Sequence, residues 1–183
     1  MRIISGKARG TKLYSLEGST TRPTLDRVKE SLFNIIQNRV PECTFLDLFS
    51  GSGAIGLEAA SRGANKTILC EKNKAAISII KKNIGKTHLE DKVKLYENSY
   101  ENLLNTINEK FDIIYIDPPY KTDFAYEATK LILKNNLLNE KGTIIIETDE
   151  EERIIKQIEK LEIEIVNRRK YGRVHLVFLE KWD

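Results

Sequence analysis

With 183 residues, the chain is long enough for one domain with a sizeable core and too short for two ordinary ones. Its residues are 40% hydrophobic and 31% charged, its net charge is +3, and no stretch approaches the roughly 18 consecutive apolar residues that span a bilayer. The composition therefore excludes a membrane protein, and because the basic N-terminus lacks the apolar core of a secretion signal, we expect a cytoplasmic protein.

The first 40 residues are the most basic part of the chain, with eight Lys or Arg against three acidic residues and a net charge of +5. IISG and TKLYSL flank KARG and predict a short basic hairpin. A helix is predicted to begin at Pro23 or Thr24, and its apolar face comprises Leu25, Val28, Leu32 and Ile35 or Ile36. We expect residues 1–40 to pack on a core formed by residues 41–183, within one compact domain.

The basic segment favours a polyanionic partner, because basic side chains that neutralise phosphates release counterions. An ordinary solvated basic surface would have the same composition. The candidate nucleic-acid contacts, expected on the exposed hairpin and at the exposed start of the helix, are Arg2, Lys7, Arg9, Arg22, Arg27 and Lys29.

From Pro41 onward, strand-like runs alternate with stretches of helical periodicity. Strands are predicted at 43–48, 66–71, 92–97, 111–117 and 142–148, and helices at 53–62, 73–86, 99–108, 123–136 and 150–160. This alternation predicts an α/β fold with a parallel sheet. Two further runs, 161–168 and 173–180, have no helix between them and predict an antiparallel hairpin with a turn at Tyr171-Gly172. The expected product is a seven-stranded open sheet, mostly parallel.

The run FLDLFSGSGAIG joins the first of these strands to the helix after it, with glycines at G-x-G-x-x-G spacing. Glycines there let a ligand approach the backbone closely, although glycines that only ease a tight turn would give the same pattern. Glu71 ends the second strand, twenty residues after Gly51, where a carboxylate can accept hydrogen bonds from both hydroxyls of a ribose. Asp47 lies four residues before Gly51 and would repel the pyrophosphate of NAD. S-adenosylmethionine has no phosphate and carries two cationic groups, so it suits this turn better.

The stretch FDIIYIDPPY ends the fourth strand with Asp117, Pro118, Pro119 and Tyr120. Two prolines give a stiff turn without backbone donors, so its carbonyl groups can act as acceptors. The Asp117 carboxylate and the Pro118 carbonyl can accept both N–H bonds of an exocyclic amine on a nucleobase, and Tyr120 can stack on a base that is flipped out or unpaired. The pattern predicts methyl transfer to such an amine, achieved mainly by positioning and electrostatics.

The sequence resembles the class I S-adenosylmethionine-dependent methyltransferases, and more closely the RsmD family of small-subunit ribosomal RNA guanine-N2 methyltransferases. The matching segments are IISGKARGTKL, RPTLDRVKESLFN, FLDLFSGSGAIGLEAASRGA, DPPY and KYGRVHLVFLE. The second of these distinguishes the family from other methyltransferases with the same proline turn. The resemblance implies a Rossmann-like fold, S-adenosylmethionine as cofactor, and 16S rRNA within a 30S subunit or an assembly intermediate as substrate.

Site residues follow from the resemblance by position. It implies that Asp47, Gly51 and Gly53 bind the methionine end of the cofactor and Glu71 the ribose, while Arg22-Pro23-Thr24 resembles a segment that closes over the cofactor. Where such enzymes carry an acid for the adenine amine, this chain has Asn98, whose amide oxygen can accept the same bond. The expected cofactor contacts are Asp47, Gly51, Ser52, Gly53, Glu71, Asn98, Ser99 and Thr24, and the expected catalytic residues are Asp117, Pro118, Pro119 and Tyr120.

Other functions stay open at this stage. The same proline turn serves adenine N6, so an adenine methyltransferase acting on DNA or RNA is the nearest alternative, and a non-catalytic RNA-binding protein on the same fold is another. A dehydrogenase fits worst, because nothing is placed for hydride chemistry. Cys43, Cys70, His88 and His175 are too scattered to predict a metal site, and we expect a monomer.

Overall fold

Seven strands form one sheet in the computed structural model, which describes residues 1–18 and 23–183 and only the backbone of residues 23 and 24. The strands are β1 (Thr44–Asp47), β2 (Lys66–Cys70), β3 (Val93–Tyr96), β4 (Phe111–Ile116), β5 (Leu138–Thr148), β6 (Glu164–Tyr171) and β7 (Val174–Glu180). The helices are α1 (Pro23–Ile36), α2 (Ala54–Ser61), α3 (Lys74–Thr87), α4 (Tyr100–Thr106), α5 (Phe124–Lys134) and α6 (Glu151–Ile158).

The sheet order is β3-β2-β1-β4-β5-β7-β6, with β1 to β5 parallel and β7 antiparallel to both of its neighbours. The predicted mostly parallel sheet with a C-terminal antiparallel hairpin is therefore confirmed. The chain runs outward from β1 to β3 and then returns to place β4 against the other side of β1. The loops after β1 and β4 leave in opposite directions, which opens a crevice at the carboxyl ends of the central strands.

Helices cover both faces of the sheet, so its central strands are almost continuously apolar. On one face, Phe33 of α1 packs with Phe45, Tyr115 and Ile145 of the strands. On the other face, a second core is built around the alternate strand residues and the helices α4 to α6, and it includes Leu46, Ile68, Ile114, Ile116, Ile144, Ile146, Leu103, Ile132 and Ile158. The two sets alternate along each strand because successive side chains of a strand point to opposite faces.

The N-terminal segment is the predicted hairpin, reduced to one antiparallel bridge between Arg2 and Lys12. Its loop is fixed to the end of α2, where the Ser61 carbonyl accepts from Lys7 N–H at 2.8 Å and the Ser61 hydroxyl accepts from Ala8 N–H at 2.9 Å. Gly6 has a φ of +89°, and a Cβ there would lie 1.9 Å from the Ser61 carbonyl oxygen. Only glycine lets the hairpin approach this closely.

The last hairpin differs from its predicted bounds by three residues. Leu161 N–H donates to Ile158 O at 2.8 Å and closes the preceding helix, so the strand begins at Glu164 instead of 161. It continues through Tyr171, and Gly172, with a φ of +62°, forms the turn. The basic run Arg168–Lys170 is therefore part of an exposed edge strand, where long charged side chains are compatible with pairing on one side only. Within the described ranges, no helix combines the length and apolar character needed to cross a membrane.

Candidate active site

A cavity of about 540 Å³ opens at the carboxyl ends of the central strands. Four acidic side chains line it, one from the end of each of four neighbouring strands: Glu71 after β2, Asp47 in β1, Asp117 after β4 and Glu147 in β5. Because the sheet order is β2-β1-β4-β5, these carboxylates follow one another across the sheet. Segments before β1 supply another wall, which includes Tyr14, Leu16, Leu25 and Val28.

The glycines of the turn after β1 differ in their positions relative to the cavity. Gly51 and Ser52 line the cavity, and Gly51, at φ +56°, has no neighbour from the described part of the chain within 4 Å of the position of a Cβ. Gly53 was predicted to contact the cofactor, but among the described residues it is not part of the cavity wall, and its N–H donates to Ser50 O at 2.7 Å. Gly53 has a φ of +83° and forms the left-handed turn at the start of α2, where a Cβ would make ordinary contacts of 3.4 to 3.6 Å with Leu69, Leu57 and Ile80.

Glu71 holds the glycine turn in place. Its Oε2 accepts from Gly51 N–H at 2.9 Å, and its Oε1 accepts from Lys72 and Asn73 N–H, each at 2.9 Å. A carboxylate has about four acceptor positions, so three backbone bonds leave about one for a ligand. The predicted acceptance of ribose hydroxyls by Glu71 stays a prediction, and in this arrangement the free acceptor position is on Oε2.

Asp47 is almost fully buried, and its Oδ2 accepts from Gly56 N–H at 3.0 Å. Burial raises the pKa of Asp47 to about 7, the hydrogen bond from Gly56 opposes that rise, and the neighbouring carboxylates of Glu71 and Glu147 add to it. Gly56 is required at this contact, because a Cβ there would lie 3.3 Å from Asp47 Cβ and 2.0 Å from Leu69 Cδ2.

Asp117 and Glu147 are neighbouring, partly buried acids of the cavity wall. Burial raises the pKa of Asp117 well above its ordinary value, and the carboxylates of Glu147 and Asp47 raise it further. Burial also raises the pKa of Glu147, while the hydrogen bond from the Tyr115 hydroxyl favours the ionised form. A cation or a hydrogen-bond donor placed between these carboxyl groups would favour their ionised forms.

The rest of the predicted catalytic turn lies at the mouth of the cavity. Pro118 is half-buried and Pro119 is exposed, and the Pro119 carbonyl accepts from the Thr122 hydroxyl at 2.9 Å. Tyr120 is 63% exposed, so its ring is accessible to a planar ligand arriving from solvent. The structure thus brings Asp117, Pro118, Pro119 and Tyr120 to the same cavity as the glycine turn.

Asn98 and Ser99 also line the cavity, next to Glu71. The Asn98 side-chain oxygen accepts from Ser99 N–H at 2.8 Å, and the Ser99 hydroxyl caps α4 by accepting from Asn102 N–H at 3.2 Å. Both side chains are therefore partly committed to local structure, although Asn98 remains exposed.

Sequence reasoning missed Glu147 and an aromatic group at the cavity wall. Phe49, Tyr100 and Phe124 pack against one another with ring centroids 5.1 to 6.3 Å apart, and the rings of Phe49 and Phe124 are stacked. These three come from separate segments, so no local pattern links them. Glu147 did carry a signal, because it ends an isoleucine run just as Asp117 ends the run in β4.

The predicted RNA contacts separate into exposed and buried residues. Arg2, Lys7, Arg9 and Arg27 are exposed. Lys29 was expected on the surface, but its side chain is 1% exposed and pairs with Glu58, so the expectation of a surface contact was wrong. Apolar spacing had marked its neighbour Val28 as buried and gave no sign that Lys29 had a buried partner. Arg22, a further predicted RNA contact, lies outside the described residues. The side chain of Thr24, a predicted cofactor contact, also lies outside them.

Comparisons with known proteins agree with this geometry. The chain matches the family described as "Conserved hypothetical protein 95" over residues 1–180. Ribosomal RNA small subunit methyltransferase D of Haemophilus influenzae is 37% identical over 158 residues, which cover 85% of this chain and 82% of that protein. The protein of the same name from Escherichia coli K12 is 33% identical over 151 residues, covering 82% of this chain and 76% of that protein.

Among solved structures, the one described as "Putative methyltransferase yhhF from Escherichia coli" is similar with a TM-score of 0.83 and 28% identity. The match covers 100% of this chain and 99% of that chain. With its seven-stranded sheet and its cavity at the strand ends, the chain thus has the class I methyltransferase fold and belongs to the Conserved hypothetical protein 95 family, which is the RsmD family.

Proposed function

We propose that this protein is an rRNA methyltransferase that transfers a methyl group from S-adenosylmethionine to the N2 amine of a guanine in 16S rRNA. The observation that carries the proposal is that one cavity holds the glycine turn with Glu71 and, beside it, the turn from Asp117 to Tyr120. The relatives named ribosomal RNA small subunit methyltransferase D support the choice of RNA.

The residues of the cavity fit S-adenosylmethionine. Gly51 offers open backbone, Glu71 keeps about one acceptor position, and Asp47 provides a carboxylate whose burial disfavours its own charge unless a cation lies nearby. When bound, S-adenosylmethionine supplies an electrophilic methyl group on a sulfonium. We propose Asp47, Gly51 and Ser52 for its methionine end, and Glu71, Asn98 and Ser99 for its adenosine end, with Thr24 as a further contact.

Asp117 has two functions in the proposed reaction. Its carboxylate accepts an N–H of the target amine and orients the nitrogen lone pair toward the glycine turn. As the nitrogen forms its new bond it must lose a proton, and a carboxylate with a raised pKa accepts that proton more readily than an ordinary one. The Pro118 carbonyl is proposed to accept the second N–H, and Tyr120 to stack on the flipped base.

The RNA surface is proposed to include Arg2, Lys7, Arg9 and Arg27, which are exposed on the hairpin and α1. These segments also line or adjoin the cavity, so phosphates bound there would lie next to the entering base. Residues 1–40 and 41–183 are proposed to act as one compact domain. We propose that the enzyme is a monomer acting on a 30S subunit or an assembly intermediate.

The test is nucleoside analysis after incubation of the protein with labelled S-adenosylmethionine and undermethylated 30S subunits, with naked 16S rRNA and DNA in parallel. N2-methylguanosine from ribosomal RNA is the expected product. N6-methyladenine would keep the chemistry of Asp117 and overturn the proposed base. No label in any substrate would contradict the proposed activity and favour a non-catalytic RNA-binding protein.

A further inference from the structure

Glu147 is a partly buried acid of the cavity wall that the proposed reaction does not use. We propose that Glu147 is the residue that selects guanine: with Asp117 it presents two acceptors to the adjacent N1–H and N2–H donors of that base. The inference rests on the proposed function, since it concerns the base held at the same site. It assigns a specificity-determining residue that is not among the site residues predicted from the sequence.

The register of the sheet places the two carboxylates side by side. Ile116 in β4 pairs with Ile146 in β5, and the next residues along these parallel strands are Asp117 and Glu147. Neighbouring strands lie about 4.8 Å apart, and equivalent positions of paired parallel strands point to the same face. Both side chains line the cavity, so one planar edge can reach both.

Strand order sets which part of the base meets Glu147. The glycine turn follows β1, Asp117 follows β4, and Glu147 ends β5, in the order β1-β4-β5. Asp117 therefore lies between the proposed cofactor position and Glu147. When the target amine is at Asp117 and faces the glycine turn, the ring extends toward Glu147, and the proposed orientation of the base directs N1, one of the two ring nitrogens beside the amine-bearing carbon, at this carboxylate.

Tyr115 fixes the Glu147 carboxylate. Its hydroxyl donates a hydrogen bond to Glu147 Oε2, and its side chain is 1% exposed and packed beneath α1. Burial raises the pKa of Glu147, whereas this hydroxyl donor favours the ionised carboxylate and leaves its remaining lone pairs for a ligand. No arginine or lysine pairs with Glu147 among the described residues, so the carboxylate is not neutralised by a structural ion pair.

Two acceptors discriminate between the purines. Guanine has the N1–H donor beside its amine, whereas adenine has an N1 acceptor beside its amine. A carboxylate facing N1–H makes a charge-assisted hydrogen bond. Facing an N1 lone pair, the same carboxylate would be repelled and would keep only its hydrogen bond from Tyr115, and sites built to pair a substrate donor reject an analogue that lacks it.

2-Aminopurine tests this directly, because it keeps the exocyclic N2 amine but has an N1 acceptor. After the labelled guanine has been located, 16S rRNA carrying guanine or 2-aminopurine at that position is assembled into 30S particles, and kcat/KM is measured for each. We expect wild-type protein to prefer guanine by at least about 100-fold. In Glu147→Gln, the amide can donate to N1 of 2-aminopurine, so the preference is expected to fall at least about tenfold.

The exposed Glu152→Gln on α6 is the matched control and is expected to keep the wild-type preference. Thermal unfolding and the Kd of S-adenosylmethionine are measured for each variant. Equal kcat/KM values for guanine and 2-aminopurine with wild-type protein would overturn the inference and leave the proposed function intact. This comparison requires no variant. A Glu147→Gln protein that loses both substrates in the same proportion would also overturn it. Absence of N2-methylguanosine with wild-type protein would instead contradict the proposed function.

Discussion

Lys29 and Glu58 form a buried ion pair, with Lys29 Nζ 3.1 Å from Glu58 Oε2 and side chains that are 1% and 0% exposed. The Lys29 ammonium also donates to Arg2 O, and the Glu58 carboxylate accepts from Ile4 and Ser5 N–H. The pair thereby joins α1, α2 and the N-terminal hairpin at one point beside the cavity. A charge expected to bind RNA instead holds together the segments that carry the exposed basic residues.

Removing Glu58 should destabilise the fold, because it leaves the Lys29 ammonium buried without its carboxylate partner. We expect Glu58→Ala to lower the free energy of unfolding by about 3 to 5 kcal/mol, measured by urea denaturation. Glu109→Ala breaks the more exposed Lys66–Glu109 pair and should cost less than about 1 kcal/mol. Equal costs for the two variants would show that the Lys29–Glu58 pair does not stabilise the protein.

Arg27 and Lys29 lie on the same helix but should differ in RNA binding. Because Arg27 is exposed, we expect Arg27→Ala to weaken binding to 16S rRNA and to reduce the slope of log K against log salt by about 1. Arg9→Ala should behave in the same way. Lys29→Met, assayed at a temperature where it is folded, should leave the salt slope unchanged. An unchanged slope for both arginine variants would remove them from the RNA surface.

Asp117→Ala tests the proposed chemistry. We expect methyl transfer to fall below detection, a loss of at least about 100-fold, because the target amine loses its acceptor. The Kd of S-adenosylmethionine, measured by calorimetry, should change little, since the glycine turn and Glu71 are untouched. Full activity in this variant would rule out the proposed role of Asp117.

The pKa of Asp47 predicts the pH dependence of cofactor binding. Its pKa is about 7 in the folded protein, so protonation below that pH removes a negative charge beside the cationic methionine end. We expect the affinity for S-adenosylmethionine to rise about tenfold between about pH 6 and about pH 7.5. Asp47→Asn should bind more weakly and lose most of this dependence. Identical pH profiles for both proteins would place the titrating group elsewhere.

The raised pKa of Asp47 also affects the stability of the ligand-free protein. A carboxyl group whose pKa is raised on folding, from 3.8 to about 7, binds more protons in the folded state between these values. Its contribution to the free energy of unfolding therefore falls as pH rises through that window, by up to about 4 kcal/mol. The free energy of unfolding of wild-type protein, relative to that of Asp47→Asn, should therefore fall between about pH 4 and about pH 8, as measured by denaturation.

Two glycines provide a paired test of packing. Gly56→Ala places a Cβ 2.0 Å from Leu69 Cδ2 in the core, so we expect a loss of about 1 to 3 kcal/mol in the free energy of unfolding. Gly85 lies in α3 with no neighbour within 4 Å of the Cβ position. Gly85→Ala should stabilise the protein by about 0.5 to 1 kcal/mol, because alanine favours a helix over glycine. If Gly56→Ala were more stable than Gly85→Ala, the close packing described for α2 would be contradicted.

The sequence predicted most of the fold because strand and helix periodicity are local properties. Isoleucine runs marked β4 and β5, alternation with helices implied a parallel sheet, and the absence of a helix before the last strand implied an antiparallel pair. Turn chemistry at Gly51 and Asp117 likewise marked two strand ends that must share one edge of a parallel sheet. The bounds of β6 could not be predicted, because a basic run at an edge strand has no clear apolar alternation.

The sequence by itself thus determined which residue types follow each central strand, and with them the glycine, carboxylate and proline groups that meet at one edge of the sheet. Only the tertiary structure decided that Lys29 is buried against Glu58, that Gly53 faces Leu69 instead of the cavity, and that Glu147 lies beside Asp117. Each of these depends on a partner 16 to 30 residues away in the chain. Charge, burial and specificity are set by such neighbours, which no local pattern contains.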